Sequence, residues 1–270
     1  GVHRRQRQMC IRDSNYRLVK ILFTGEVVEI IPETDLALKS VSILDNFIIT
    51  NSINTDMNSM VEFYSKGGEL LDFKIPDDIE GTLSSFSMYK DKLRFSVSNF
   101  INPTRYIDLD LNTLDYTIVW QDKVSNFNPA NYEKTFTYYE SKDGTMVPLT
   151  YFHRKDLEIN SETPIFLYGY GGYNISIRPS FSRKYVGWLE LGGVVAIANL
   201  RGGGELGKKW HNAGRLKEKQ NVFDDFLYAS KYLEANNIGN RKSTVISGRS
   251  NGGLLAVSYT HLTLPTMYTV

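Results

Sequence analysis

The chain has 270 residues, of which 41% are hydrophobic and 23% charged, and its formal net charge is +1. That length suits one large domain or two ordinary ones, and the composition is typical of a globular protein. The nearly neutral charge gives no reason to expect nucleic acid or a membrane surface as a partner, and no apolar run is long enough to span a membrane. Cys10 is the single cysteine, which excludes an internal disulfide.

The first 14 residues differ in character from the rest of the chain. Arg4, Arg5 and Arg7 could suggest a basic arm, but no apolar stretch comes after them, so the segment does not have the pattern of a signal peptide. We predict that residues 1–14 are not native sequence. The alternative is a genuine but unusual segment.

Residues 15–123 contain short runs of alternating character separated by turn residues, for example 60–64, 70–75 and 93–97, which is typical of β-strands. The pattern repeats after about 46 residues, so that Met60 corresponds to Tyr106 and Glu62 to Asp108. Such a period is typical of four-stranded propeller blades. We predict the last two and a half blades of a β-propeller, with a small β-sandwich as the alternative.

Residues 124–131 break the repeat and are predicted to be a linker. From 132 to 256 strand patterns alternate with helix patterns, and glycine-rich turns come after the strands at 164–168 and 193–200. A hairpin is predicted around Ser141–Gly144, and an amphipathic helix at 221–236. This order indicates the N-terminal part of an α/β catalytic domain, whose site lies at the carboxyl ends of the strands.

The segment 248–252 reads Gly-Arg-Ser-Asn-Gly, which fits the pattern G-x-S-x-G. It lies between a β-branched run, 244–246, and helix-favouring residues that begin at Leu254. Strand, glycine-flanked turn and helix together indicate the nucleophile elbow of an α/β-hydrolase. We predict that Ser250 is a nucleophile and that the N–H of Asn251 is an oxyanion-hole donor. The alternative is an ordinary glycine-rich turn.

Two further glycine runs precede the elbow. The run at 169–173 stands where an α/β-hydrolase has its second oxyanion donor, and the hydroxyl of Tyr170 could serve, or could simply pack against the backbone. The run at 202–207 has the spacing of a dinucleotide-binding loop, but no amphipathic helix comes after it, and Asp224 and Asp225 fall inside a helix. We therefore predict close backbone packing there, with no cofactor and no metal.

A serine nucleophile needs a base, and in this fold the order is Ser, then Asp or Glu, then His. His153 and His211 precede Ser250, and His261 comes too soon after it, so all three are predicted to be surface or structural residues. The β-branched run from Val257, closed by Pro265, is predicted to contradict a helix, and residues 257–270 are predicted not to be native. The chain by itself is expected to be inactive and poorly stable.

Four segments in this order closely resemble the prolyl oligopeptidase family of serine peptidases: LYGYGGYNISI at 167–177, NLRGGGELG at 199–207, KQNVFDDF at 219–226 and GRSNGGLL at 248–255. The resemblance implies a β-propeller joined to an α/β-hydrolase domain, here as a truncated fragment. It implies that Ser250 is the nucleophile, that Tyr170 and the Asn251 N–H form the oxyanion hole, and that Tyr173 lies in the proline-accepting pocket. The implied activity is hydrolysis of short peptides on the carboxyl side of proline, by a monomer.

Two positions depart from the family pattern: Tyr173 stands where the family usually has Phe, and Arg249 where Gly is common. Alternatives on the same scaffold are an oligopeptidase B-like enzyme that cleaves after basic residues, or an acylaminoacyl peptidase or esterase. A non-catalytic propeller interaction module with a degenerate hydrolase domain is a third alternative. A soluble protein is expected, and the sequence leaves open whether it is cytoplasmic or periplasmic.

Overall fold

The structure is a computed structural model that describes residues 8–10 and 15–263, with side chains described over 15–259. The chain forms two compact units. The first takes in the described residues up to Ser98, together with Thr104–Asp122 and Leu206–Lys208. The second takes in Asn99–Pro103, Lys123–Glu205 and the described residues from Lys209 onward.

The first unit is built from three antiparallel sheets in which each strand pairs with the next along the chain. The first sheet has three strands, β1 (Gln8–Cys10), β2 (Leu18–Ile21) and β3 (Val27–Ile31). The second has four strands, β4 (Leu38–Ile43), β5 (Ile48–Ile53), β6 (Ser59–Tyr64) and β7 (Leu70–Leu71). The third also has four, β8 (Thr82–Tyr89), β9 (Lys92–Ser98), β10 (Arg105–Leu109) and β11 (Tyr116–Gln121).

These sheets confirm the predicted repeat. Met60 lies in β6 and Tyr106 in β10, and each of these is the third strand of a four-stranded meander. The predicted strand at 70–75 was too long, because only Leu70–Leu71 pairs with β6. Phe73 and Ile75 leave the ladder and pack against the core instead. That core is a cluster of buried apolar side chains: Phe47, Ile49, Phe63, Ile79, Leu83, Phe86, Leu93, Phe95, Val97, Ile107 and Leu109.

The second unit is organised around a five-stranded sheet with the order β12-β13-β15-β14-β16. Its strands are β12 (Tyr132–Glu140), β13 (Met146–Arg154), β14 (Ile165–Gly169), β15 (Val194–Ala198) and β16 (Thr244–Ser247). β14 runs parallel to both β15 and β16, whereas β13 is antiparallel to β12 and β15. Because β15 is flanked on both sides and every one of its residues is buried, its sequence is continuously apolar.

The helices are α1 (Arg183–Glu190), α2 (Gly207–Asn212), α3 (Gln220–Ala235) and α4 (Asn251–Thr263). Short 3₁₀ turns cover Pro129–Asn131, Leu216–Glu218 and Arg241–Ser243. The amphipathic helix predicted at 221–236 is confirmed as α3, and the predicted hairpin joins β12 to β13. None of the helices in the described ranges has both the length and the hydropathy that a membrane crossing requires.

The prediction that the run from Val257 contradicts a helix was wrong, since α4 continues through it to Thr263. The reason is tertiary packing. Tyr259 is buried, its hydroxyl donates to Ser230 Oγ at 2.8 Å, and its ring meets Phe226 edge to face at 5.5 Å. Burial of this helix face against α3 outweighs the weak helix propensity of β-branched residues. Whether residues 257–270 are native stays a prediction, and most of the 1–14 segment lies outside the described residues.

Candidate active site

The turn between β16 and α4 places Ser250 at the end of a parallel strand and the start of a helix. Ser250 adopts a left-handed backbone conformation, with φ +57°, which non-glycine residues rarely occupy. Its carbonyl accepts from Gly253 N at 2.9 Å and Leu254 N at 3.2 Å, so it caps the first turn of α4. A Cβ at Gly248 would overlap the carbonyl of Gly252. The predicted strand, sharp turn and helix are therefore confirmed, and the Ser250 side chain is exposed.

The loop after β14 packs directly against this turn. β14 and β16 are parallel neighbours, so the segments that come after them meet at the same edge of the sheet. Asn251 Nδ2 donates to the carbonyl of Tyr170, and an ideal Cβ at Gly172 would lie 2.6 Å from Asn251 Nδ2. The sheet order thus brings Tyr170, Ser250 and Asn251 into one site.

The three predicted oxyanion and pocket residues differ in their surroundings. Asn251 is the first residue of α4, and N–H groups in a first helical turn have no partner within the helix. The Tyr170 side chain is half-buried. Tyr173 has φ +56° and a 75% exposed side chain, so the described residues do not enclose its ring. The catalytic and pocket roles of these residues stay predictions.

The glycine run after β15 supports the loop that carries Tyr170. Gly202 has φ +87°, and an ideal Cβ there would lie 2.7 Å from the carbonyl oxygen of Gly171. The run is followed by the six-residue helix α2. Gly202 and Gly204 serve close backbone packing, as predicted, but the backbone that they approach most closely belongs to the loop after β14 and not to the serine turn.

A buried network of ion pairs that follows β15 was not predicted from the sequence. Arg201 is 4% exposed and Asp225 fully buried, and their side chains meet at 2.6 Å between Nη2 and Oδ1. Arg201 Nη1 also lies 2.6 Å from Asp143 Oδ2, and the hydroxyl of Ser141 donates to Asp225 Oδ1 at 2.6 Å. Asp225 therefore anchors the segment after β15 to α3, and is not the ribose ligand that a dinucleotide site would need.

In the Arg201–Asp143 pair of this network, both side chains stay charged over a wide pH range. Burial alone would lower the pKa of Arg201, but its hydrogen bonds to Asp225 and Asp143 raise that pKa above its usual value. The hydrogen bond from Arg201 lowers the pKa of Asp143 to about 2. No spacing in the sequence marks these partners, because they belong to three different elements.

Lys219 is a second residue that sequence reasoning missed. Its Nζ donates to the carbonyl of Gly171 at 2.8 Å and to Asn251 Oδ1 at 3.1 Å. Burial lowers the pKa of this half-buried ammonium. Lys219 therefore contacts both segments that form the site.

The histidines hold other contacts. His153 is buried with Nδ1 2.8 Å from the carbonyl of Arg154, and His211 Nδ1 lies 2.7 Å from the carbonyl of Gly202. Neither of these two imidazoles hydrogen-bonds Ser250 in the described residues, and the His261 side chain lies outside them. The same described residues contain no group of three His, Cys, Asp or Glu side chains arranged to hold a metal ion.

The fold and site define a class: an α/β-hydrolase sheet with a nucleophile elbow, preceded by propeller-type blades. The sequence-family model of the prolyl oligopeptidase N-terminal β-propeller domain matches residues 12–122. The sequence-family model of the prolyl oligopeptidase family matches residues 179–269. The chain belongs to the prolyl oligopeptidase family.

Relatives include the prolyl endopeptidase of Elizabethkingia meningoseptica, 40% identical over 74% of this chain and 28% of that protein. The prolyl endopeptidase of Dictyostelium discoideum is 37% identical over 85% of this chain and 31% of that protein. The chain thus spans roughly a third or less of the curated relatives it matches.

Solved structures show the same fold. A chain from a structural study of two prolyl endopeptidases superimposes with a TM-score of 0.82 at 33% identity, over 96% of this chain and 40% of that chain. Prolyl oligopeptidase B from Galerina marginata, bound to a 35mer hydrolysis and macrocyclization substrate, gives a TM-score of 0.81 at 28% identity. That match covers 93% of this chain and 38% of the other.

Proposed function

We propose that the protein to which this chain belongs is a serine peptidase that hydrolyses short peptides on the carboxyl side of proline. The observation that carries the proposal is Ser250 in a left-handed turn at the start of α4, against the loop of Tyr170. The names of the relatives, prolyl endopeptidases, support proline as the residue before the scissile bond. Action as a monomer rests on the resemblance alone.

In this proposal the Ser250 hydroxyl attacks the peptide carbonyl carbon while a histidine takes its proton, and an aspartate orients that histidine. The described residues offer Ser250 neither partner, so both are proposed to lie elsewhere in the protein. The negative charge that develops on the carbonyl oxygen is stabilised by the Asn251 N–H and the Tyr170 hydroxyl. Each such donor lowers the barrier by roughly 3 kcal/mol. Tyr173 is proposed to stack on the substrate proline.

The test uses the full-length protein and three blocked dipeptide p-nitroanilides that differ only in the last residue, which is proline, alanine or arginine. We expect cleavage of the proline compound, and Ser250→Ala should lower kcat by ~10⁴-fold or more, because a triad without its nucleophile retains little activity. Ser247→Ala, at the exposed end of β16, is the matched control and should retain activity.

Three results would each contradict the proposal. Preference for arginine would indicate an oligopeptidase B-like enzyme, and hydrolysis of simple esters without peptides would indicate an esterase. Undiminished proline cleavage by Ser250→Ala would remove Ser250 from the mechanism altogether.

A further inference from the structure

Lys219 immediately precedes α3 and joins two segments that are far apart in sequence. Its ammonium donates to the Gly171 carbonyl at 2.8 Å and to the side-chain oxygen of Asn251 at 3.1 Å. The same Asn251 amide donates from Nδ2 to the Tyr170 carbonyl. One continuous chain of hydrogen bonds thus runs from Gly171 through Lys219 and Asn251 to Tyr170.

These bonds connect the Tyr170–Gly171 backbone, which carries one proposed oxyanion donor, to the side chain of Asn251, whose own N–H is the other. Donors of this kind must lie within about 2.7–3.1 Å of the developing oxyanion, so errors of half an ångström matter. The loop is packed closely on its other side, since an ideal Cβ at Gly171 would overlap Val222 Cγ1 and would lie 3.0 Å from the carbonyl oxygen of Arg201. On the side of the loop that faces α4, the Lys219 bonds and the bond from Asn251 Nδ2 to the Tyr170 carbonyl span the gap between loop and helix.

The position is an unfavourable one for a cation. Lys219 stands at the N-terminal end of α3, where the helix dipole opposes a positive charge, and burial lowers its pKa. Over residues 15–259, where side chains are described, no carboxylate lies within ion-pair distance of its Nζ. The Phe223 ring, 5.8 Å away, offers weak compensation. An apolar side chain of similar length would avoid these costs. A contribution to the free energy of folding therefore does not account for a lysine at position 219.

We propose that Lys219 is a positioning residue that sets the oxyanion hole, by holding the Tyr170–Gly171 backbone against Asn251. This role rests on the proposed function of Ser250, Tyr170 and Asn251. Lys219 acts through these residues and does not itself touch the reacting atoms.

The test compares Lys219→Met with the wild type in the full-length protein, on a prolyl p-nitroanilide and on p-nitrophenyl acetate. Because the loss of one oxyanion donor costs ~10²–10³-fold, partial misplacement of both should lower kcat about 30- to 100-fold on each substrate, with KM within about threefold. A peptide aldehyde, whose adduct with serine places an oxyanion in the hole, should bind weaker by the same factor. The unreactive peptide of the same sequence should bind as before.

Two variants control for nonspecific effects. Lys217→Met changes an exposed lysine two positions away and should leave kcat unchanged. Lys219→Arg keeps a charged donor and should recover kcat to within about tenfold of the wild type. The thermal transition of the second unit should shift little in Lys219→Met, since removal of a half-buried cation offsets the loss of its two hydrogen bonds.

Hydrogen exchange of the peptide covering 169–174 tests the same idea without any activity, and Lys219→Met should speed its exchange. The proposal is overturned if that exchange is unchanged, if kcat stays within threefold, or if only KM changes. A wild type that hydrolyses the ester but not the prolyl compound defeats the peptidase proposal alone. The Lys219 comparison then proceeds on the ester.

Discussion

At the scale of single residues, the second unit contains a buried guanidinium, that of Arg201, in which every nitrogen has a hydrogen-bond partner. Each nitrogen of the Arg201 guanidinium donates to Asp225, Asp143, Thr145 or Ser141. Asp225 Oδ2 also accepts from the backbone N–H of Arg201 at 3.1 Å. Removing one partner of such a pair leaves the other charge buried and uncompensated, which costs more than the intact pair contributes.

Arg201→Met should therefore lower the free energy of unfolding by about 3–5 kcal/mol, because Asp225 would be left buried and charged. Arg241→Met is the matched control: the ion pair of Arg241 with Glu234 is exposed, and its loss should cost under about 1 kcal/mol. Urea unfolding measures the change in the free energy of unfolding for each of the two variants. Equal, small effects would show that the buried pair is not anchoring the segment after β15.

At the scale of elements, the elbow illustrates how strand, turn and helix constrain each other. β16 and α4 can approach so closely only where the turn lacks side chains, since a Cβ at Gly248 would overlap backbone atoms of Gly252. Backbone atoms cannot rotate away as a flexible side chain could. The first glycine of the G-x-S-x-G pattern is thus a steric requirement of this junction, whereas a Cβ at Gly252 would lie 3.4 Å from its nearest neighbour, the carbonyl oxygen of Gly169.

Gly248→Ala should destabilise the protein by about 2 kcal/mol or more and should reduce hydrolysis by Ser250, because the turn must shift to admit the methyl group. Gly187→Ala, inside α1 with open space around the position, is the matched control. It should be neutral or stabilise by up to about 1 kcal/mol through helix propensity. Thermal unfolding and initial rates measured on both variants decide the matter, and equal stability of the two would argue against a tight turn.

At the scale of the whole molecule, the chain contains two compact units with separate clusters of buried apolar residues. Two-state unfolding is a property of single domains, so the thermal and urea measurements on Arg201, Lys219 and Gly248 variants refer to the transition of the second unit, which contains all three residues. Peptide-resolved hydrogen exchange reports stability region by region and suits this architecture better.

Leu93→Ala should speed exchange in peptides covering β9 and β10, because it removes a fully buried side chain from the core of the first unit and costs about 2–5 kcal/mol there. Ile118→Ala, on the exposed edge strand β11, should leave the same peptides nearly unchanged. Unaltered protection in the Leu93 variant would mean that this cluster does not stabilise the blades.

Local signals in the sequence are enough to predict most of the strands, the helix α3 and the candidate nucleophile of this protein. Alternation and turn residues predict the strands of the blades, and the glycines around Ser250 predict the elbow. Both signals are local, because side-chain period and backbone φ depend on neighbours in the chain.

How distant segments meet is settled by the tertiary structure alone. The order β12-β13-β15-β14-β16 places the loop of Tyr170 beside Asn251, 81 positions away in sequence, and lets Lys219 hold both. Packing of Tyr259 against α3 likewise extends α4 through a run whose propensity opposes a helix. These outcomes depend on burial and on contacts between elements, which are set by the assembled sheet and its helices and not by any stretch of residues alone.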